Sequence, residues 1–378
     1  MRIVRFILFV SVTTILPSLI SAQEKTDSVK HKSFIKGLAH TAINVIKAFN
    51  DYDTSYIEPQ HYNYALMFQN TLNYERYELN SKSGQSIVLS PNLTNKIGPY
   101  FGWRWIFLGY TFDVKNISIN TNNSVKKEFE FSLYSSLFGI DFVYRRTGSD
   151  YKIRGIYLGE NINTNNLINM KFNGINVGIT GINIYYIFNH YKFSYPAAFS
   201  QSTCQKKSAG SIICGISYTK HTISFDHKNL QTMINSKLSS TVKLDSGLMF
   251  NKIQYMDVSV SLGYAYNCVF ARNWLLSASL SPALAYKYSA GNLDEKYSGK
   301  EFSFRNFNFD LIGRVGVVWN NTRWYGGMSA ILHSYNYNKS QFSTSNLFGS
   351  VNVYFGVNFD LKKIYKKTAE QRKKYVRN

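Results

Sequence analysis

The sequence predicts an all-β protein: a closed antiparallel transmembrane β-barrel of 12–14 strands with a short N-terminal amphipathic helix. Three observations point there. Between residues 62 and 359, apolar and polar side chains alternate for a dozen or more residues at a stretch, the period that a β-strand converts into two distinct faces. All five tryptophans lie beside short polar turns that carry arginine: Trp103-Arg104-Trp105, Arg272-Asn273-Trp274 and Trp319-Asn320-Asn321-Thr322-Arg323-Trp324. The chain also opens on an apolar leader. Tryptophan collects at a membrane–water boundary because its ring is apolar while its indole N–H needs a partner. Trp103, Arg104, Trp105, Arg272, Trp274, Trp319, Arg323 and Trp324 therefore read as a membrane-interface girdle at one rim.

In the leader, Arg2 and Arg5 precede an apolar run over 7–20 that ends in Ser21-Ala22-Gln23. A basic head, a short apolar core and small residues at the cut describe a secretory signal peptide over 1–22. The run is shorter than the ~20 residues a spanning helix needs. Residues 23–61 are expected to form a periplasmic segment, 62–360 the barrel, and 361–378 a basic periplasmic tail. Within the first segment, Phe34, Ile35, Leu38, Ala39, Ala42, Ile43, Ile46 and Phe49 recur at helical spacing. They predict an amphipathic helix over 33–49, resting on the barrel mouth or membrane surface, or entering the lumen as a plug.

The clearest strand covers 256–270. Met256, Val258, Val260, Leu262, Tyr264, Tyr266, Cys268 and Phe270 share one face, with Asp257, Ser259, Ser261, Gly263, Ala265 and Asn267 on the other. Three further strands repeat the scheme. Leu276, Ala278, Leu280, Pro282, Leu284 and Tyr286 oppose Ser277, Ser279, Ser281 and Lys287. Phe307, Phe309, Leu311, Val315 and Val317 oppose Asn308, Asp310 and Arg314. Val351, Val353, Phe355, Val357 and Phe359 oppose Ser350, Asn352, Tyr354 and Asn358. Only 227–238 interrupts the later strands, with a loop-like or helical pattern.

A soluble sandwich also alternates, but its strands run to about 5–6 residues, whereas membrane strands need ~9–11. Six prolines against 29 Tyr and 27 Phe suit aromatic girdles. The apolar faces are nearly free of charge, which would aggregate in water and needs no cover in lipid. A mean hydropathy of -0.22 fits strands that are only half apolar. The Trp/Arg turns are tight, as is the bend near Asn189-His190, while 116–126, 148–170 and 291–300 are longer and polar. Short turns belong on the periplasmic side and long loops outside. Both chain ends are then periplasmic and the strand count is even, 12 or 14, in the outer membrane of a Gram-negative cell.

The formal charge is +21, falling to +19 once Arg2 and Arg5 leave; residues 361–378 hold eight Lys and Arg against Glu370. In an exported chain this points to outer-membrane lipid and lipopolysaccharide phosphate rather than nucleic acid. Barrel-assembly machinery is a further expected partner. Three cysteines, Cys204, Cys214 and Cys268, do not make a disulfide framework. Pairing of Cys204 with Cys214 stays open, and Cys268 reads as a small hydrophobe.

Candidate lumen-lining residues are Glu128, Glu130, Asp141, Arg145, Asp257, Lys287, Asp310, Arg314 and His333. Mixed charges there either tune a pore or close the lumen as ion pairs. The stretch from Phe193-Ser194-Tyr195-Pro196 to Ser211 breaks the alternation. Gln201, Gln205, Lys206, Lys207, Ser208 and Ser211 are candidates for a constriction, with an irregular surface loop as the plainer account. No catalytic, metal or cofactor site is expected. His333-Ser334 and His221/Ser224 diverge on their strands, no G-x-S-x-G occurs, and His333 beside Ser329 is the nearest approach to a nucleophile–base pair. The seven histidines are dispersed. Asp51 and Asp53 lack the glycine-turned loop of a calcium site.

Asp51-Tyr52-Asp53-Thr54-Ser55-Tyr56-Ile57-Glu58-Pro59, the stretch from Tyr195-Pro196-Ala197-Ala198-Phe199 to Ser208-Ala209-Gly210-Ser211, and Gly263-Tyr264-Ala265-Tyr266-Asn267 resemble the bacterial domain-of-unknown-function family 4421. The similarity spans most of the mature chain. It implies an exported outer-membrane barrel and brings no activity or catalytic residue. The leading expectation is a pore or binding barrel for a small solute. The alternatives are a lipid- or lipopolysaccharide-modifying hydrolase and a structural or adhesive surface barrel.

Overall fold

The computed structural model describes residues 52–103, 106–109, 112–113, 127–147, 150–238, 242–289, 306–338, 342–363 and 365–368. The leader, the helix expected over 33–49, the loops expected over 116–126 and 291–300, and the end of the basic tail lie outside them.

In chain order the strands are β1 (Ile57–Pro59), β2 (Tyr62–Ser81), β3 (Ser86–Pro91), β4 (Thr94–Trp103), β5 (Ile106–Gly109), β6 (Phe112–Asp113), β7 (Lys127–Tyr134), β8 (Phe138–Arg146) and β9 (Tyr151–Tyr157). There follow β10 (Lys171–Phe172), β11 (Ile175–Ile187), β12 (Thr203–Gln205), β13 (Ala209–Phe225), β14 (Lys252–Ala271), β15 (Trp274–Ser289), β16 (Phe307–Asn320), β17 (Trp324–Asn338) and β18 (Phe342–Leu361). Helix α1 (Tyr195–Phe199) lies between β11 and β12, and α2 (His227–Lys237) between β13 and β14. Of the two readings of 227–238, the helix is the one that forms. No helix among the described residues is long and apolar enough to cross a membrane.

Every strand except β1 and β12 joins one antiparallel sheet. Its order is β10-β9-β3-β2-β18-β17-β16-β15-β14-β13-β11-β8-β7, with β4 on β2 beside β3, and β5 and β6 on β4. The sheet rolls round on itself. β2 and β8 are eight strands apart along this path, about 38 Å at ~4.8 Å per step on a flat sheet. Yet Arg145 Nη1 on β8 lies 3.0 Å from Glu75 Oε1 on β2. The expected ring of ladders is not completed among the described residues. Among the described residues, β7 pairs with β8 alone, and β5 and β6 pair with β4 alone.

Both ends of the sheet path in sequence lie together, with Tyr62 opposite Leu361; this is termed the near end. The tight turns β14–β15 and β16–β17 fall there. Each takes a left-handed residue, Asn273 (φ 66°) and Thr322 (φ 74°). Asparagine tolerates that conformation, whereas a β-branched threonine there is a genuine outlier. Thr322 N–H donates to Asn320 Oδ1 at 2.8 Å, which ties the residue down. Trp274 and Trp319 are cross-strand neighbours, and Trp274 and Trp324 are exposed on the outer face.

The long strands carry fourteen to twenty residues, and their outward faces are apolar and bare, with Phe309 73%, Leu262 63% and Ile216 62% exposed. At the far end the interior is an apolar core. Tyr77, Leu79, Ile87, Leu89, Ile153, Phe172, Ile223, Phe225, Phe250 and Phe342 pack together there, joined by Leu230 and Ile234 of α2. The segment expected to be a polar loop over 148–170 contributes to this core instead. β9 pairs with β3, and Tyr151, Ile153, Ile156, Leu158 and Leu167 turn inward.

Candidate functional site

Between the two ends, inward side chains meet as three charged groups. In the first, Arg145 and Glu75 form a fully buried pair, and Tyr151 Oη donates to Glu75 Oε2 at 3.2 Å. Arg145 also lies over the Phe348 ring, 5.7 Å from its centroid. In the second, register alone builds the contact: Asp257 on β14 stands opposite Lys287 on β15 and Thr219 on β13. Lys287 Nζ donates to Asp310 Oδ1 at 2.8 Å and lies 3.8 Å from Asp257 Oδ2. Thr219 Oγ1 donates to Asp257 Oδ2. His221 stacks on Tyr255 at 4.6 Å with its Nε2 4.0 Å from Asp257 Oδ2. In the third, Arg314 donates to Asp141 Oδ2 and lies 5.3 Å over the Tyr185 ring. Asn183 Nδ2 donates to the same Asp141 oxygen at 3.3 Å.

The near end of the lumen is filled by the insert between β11 and β13. The bend at Asn189-His190 does not close a hairpin. It leads through Phe193 into α1, capped by Ser194 Oγ, which accepts from Ala197 N–H at 3.3 Å. Tyr195, fully buried, reaches up to the third charged group. It shares a 2.7 Å hydrogen bond with Ser279 Oγ and accepts one from Arg314 Nη1 at 3.4 Å. Gln205 is the knot. Its Oε1 accepts from Ser194 N–H at 2.9 Å and Asn267 Nδ2 at 3.0 Å, while its Nε2 donates to the Lys192 and Lys207 carbonyls at 2.6 and 2.9 Å. Gln201 Nε2 donates to Tyr354 Oη at 2.7 Å. β1 pairs with β12, so the segment just before the wall is zipped to the insert.

Asp141, Arg145, Asp257, Lys287, Asp310 and Arg314 are all buried in this interior. The side chains of Glu128 and Glu130, like those of Trp103, Arg104 and Trp105, lie outside the described residues. The constriction candidates divide. Gln201, Gln205 and Ser211 are buried, whereas Lys206, Lys207 and Ser208 are exposed at the near end. The lysines fail as lumen groups because their charges find partners at the surface. Lys206 pairs with Glu58 at 3.3 Å, and Lys207 lies 5.3 Å over the Tyr56 ring. Arg272 and Arg323 are exposed beside the near-end turns.

His333 stacks between Phe348 at 5.2 Å and Tyr335 at 6.1 Å, and the charges acting on it are those of Arg314 and Arg145. Ser329 is four residues along the same strand, about 13 Å at ~3.3 Å per residue. That pair has neither the reach nor the acid a nucleophile–base pair needs. His221 has an acid nearby, but Thr219 donates directly to that acid rather than to the imidazole. Asp53 Oδ1 accepts from Ser55 N–H at 2.8 Å, and these bonds to Ser55 hold its carboxyl below the usual carboxylate range. No metal-binding cluster occurs among the described residues, and the three cysteines are free. Sequence reading missed Glu75, whose inward parity with Asn73 and Tyr77 is hidden by the neighbouring Arg76 and Glu78, and Tyr151, whose signal is an inward parity with Ile153.

A family model described as Domain of unknown function (DUF4421) matches residues 51–359. No curated protein matches significantly. Among solved structures, the chain is similar to the outer membrane protease OmpT from Escherichia coli at 6% identity, over 79% of this chain and 97% of that one, with a TM-score of 0.35. It is similar to the translocator domain of autotransporter NalP from Neisseria meningitidis at 11% identity, over 88% and 99%, with a TM-score of 0.30. The transport unit of the autotransporter AIDA-I from Escherichia coli gives 10% identity, 79% and 90% coverage, and a TM-score of 0.32. Scores this low carry no argument about role.

Proposed function

We propose, from the premise that the chain belongs to the DUF4421 family, that it is an integral outer-membrane β-barrel whose lumen is shut by its own side chains. Counting β3 with β4 and β5 with β6, and setting β9 and β10 aside as an inward fold, the wall has twelve strands. Its near end is then periplasmic, with the Trp turns at that rim, and its far end faces outside. The bare apolar outer face supports the membrane reading, since Phe309, Leu262 and Ile216 exposed to water would each forgo roughly 1.5–3 kcal/mol of burial. The exported leader over 1–22 belongs to the same proposal.

One observation carries the closed lumen: the charges that would line a pore are neutralised against each other and covered at both ends. The protein then acts as a non-catalytic binding barrel through its ends and wall, without free passage of solute. Planar-bilayer recording tests this. Correctly inserted protein stays electrically silent, and steady unitary currents from the wild type contradict the reading. A second reading, passage of a small solute on demand, is favoured by the β1–β12 pair, through which the chain preceding the wall could draw on the insert. Under it, currents appear when β1 pairing is broken by Ile57→Pro and Pro59→Gly together. The hydrolase reading gains nothing from His333 or His221, and their alanine variants should leave lipid substrates untouched as the wild type does.

A further inference from the structure

Outward positions on β8, β11, β13 and β14 carry no acidic side chain. Most of this sector is apolar, with Ile182, Ile184, Ile212, Ile216, Val258, Val260 and Leu262 exposed. At its far end the chemistry changes within two residues. Tyr218 is followed outward by Lys220, and Met256 is preceded by Gln254 and Lys252. On β8, Phe142 and Tyr144 give way to Arg146.

Register sets these groups side by side. Arg146 stands opposite Gly178, and Gly178 opposite Thr222, which stands opposite Gln254. Lys220 is opposite Thr180, and Lys252 opposite Ser224. With ~4.8 Å between strands and ~3.3 Å per residue, the three cationic residues form a triangle with sides of about 12–16 Å around Thr222. Gly178 leaves the surface low at its centre. A Cβ added there would lie 3.8 Å from Thr222 Cβ and 4.0 Å from Arg146 Cγ, so the threonine and the arginine stem flank the gap from its two sides. All three cations are exposed, and none forms an ion pair among the described residues. Elsewhere on the far rim the arrangement is different: Arg76 on β2 is matched by Glu78 at 3.1 Å.

We propose that Arg146, Lys220 and Lys252, with the hydroxyls of Thr180, Thr222 and Ser224, bind the phosphate groups of a phosphorylated outer-leaflet glycolipid of the lipid A type. Three unmatched cations at the end of an apolar belt fit a ligand with acyl chains on one side and separated phosphates on the other. Tyr144 and Tyr218 mark the level where headgroups begin. Arginine supplies a planar fork for phosphate, and the lysines supply point charges on long arms. The site rests on the outer-membrane reading, which sets the far end against the outer leaflet.

The test uses full-length protein, delipidated in detergent and titrated with bisphosphorylated lipid A, its dephosphorylated form, or phosphatidylglycerol. The account predicts preference for the bisphosphorylated lipid, a loss of at least tenfold in R146Q/K220Q/K252Q, and no change in a near-end control, R272Q/R323Q/K363Q. Insertion into vesicles is followed in parallel. Equal binding of the dephosphorylated lipid, equal binding of phosphatidylglycerol, or an unchanged triple variant overturns the site while leaving the membrane reading intact. Wild-type protein that never enters vesicles overturns the membrane reading itself.

Discussion

Where the far end of the lumen closes over Phe172, Phe225, Phe250 and Phe342, the near end closes over Gln201, Gln205 and Asn267. The first seal is apolar and non-directional. Its strength comes from many small contacts spread over several strands, β9 and α2, so no single partner defines it. The second is directional. One amide, Gln205, bonds to five partners on the insert, the wall and the segment before it. Hydrogen bonds of this kind contribute only about 0.5–1.5 kcal/mol each in net terms, yet leaving a buried partner unmet costs ~1–3 kcal/mol. The contrast makes the near end the sensitive seal and the far end the tolerant one, with the charged groups as the layer both protect.

The largest expected effect lies in that shared layer. Lys287→Met leaves Asp257 and Asp310 in the lumen without their ammonium. Unfolding in detergent or lipid should show a loss of ~3–5 kcal/mol, and adding Asp257→Asn and Asp310→Asn should restore most of it. A loss that the added amides do not relieve would mean the lysine acts by packing alone. Next comes Gln205→Leu, which keeps the volume and strips the bonds. It should cost ~1–3 kcal/mol and make the 188–208 backbone exchange its amide hydrogens faster, while exchange at β9 is unaffected. Faster exchange at both ends would erase the distinction between the seals. The smallest effect belongs to the far end, where Leu230→Met should cost less than about 1.5 kcal/mol. A larger loss would show that the apolar seal is as exacting as the polar one.

The same contrast explains what could be read from the sequence. The faces of β14, β15, β16 and β18 were legible because one side of each strand is apolar and bare along most of its length and the other is small or polar. The inward charges Asp257, Lys287, Asp310 and Arg314 stood out against serines and glycines for the same reason. Partnerships across the lumen were not legible. Glu75 meets Arg145 seventy residues away, and only the curl of the sheet decides that. The 148–170 segment reads as a polar loop because Asn161, Asn163, Asn165, Asn166 and Asn169 dominate it. Its Tyr151-x-Ile153 alternation was the overlooked sign of a strand. At the insert, the broken alternation was visible, but its position depends on pairing between β1 and β12, which three ordinary residues on each side do not announce. Without that pairing, nothing in the sequence sets Lys206 and Lys207 apart from the buried Gln201 and Gln205.

The central claim is that lipid touches one face of each long strand while neither lipid nor water reaches the other. A fluorophore scan along β14 tests it directly. Cys204, Cys214 and Cys268 are first replaced by serine or alanine, and single cysteines are then labelled at 258 to 262 in reconstituted protein. Labels at 258, 260 and 262 should be quenched by nitroxides on acyl chains, and labels at 259 and 261 by neither acyl-chain nor aqueous quenchers. Aqueous quenching at 259 and 261 would mean an open lumen, and absence of acyl-chain quenching at 258, 260 and 262 would mean that this face never meets a membrane.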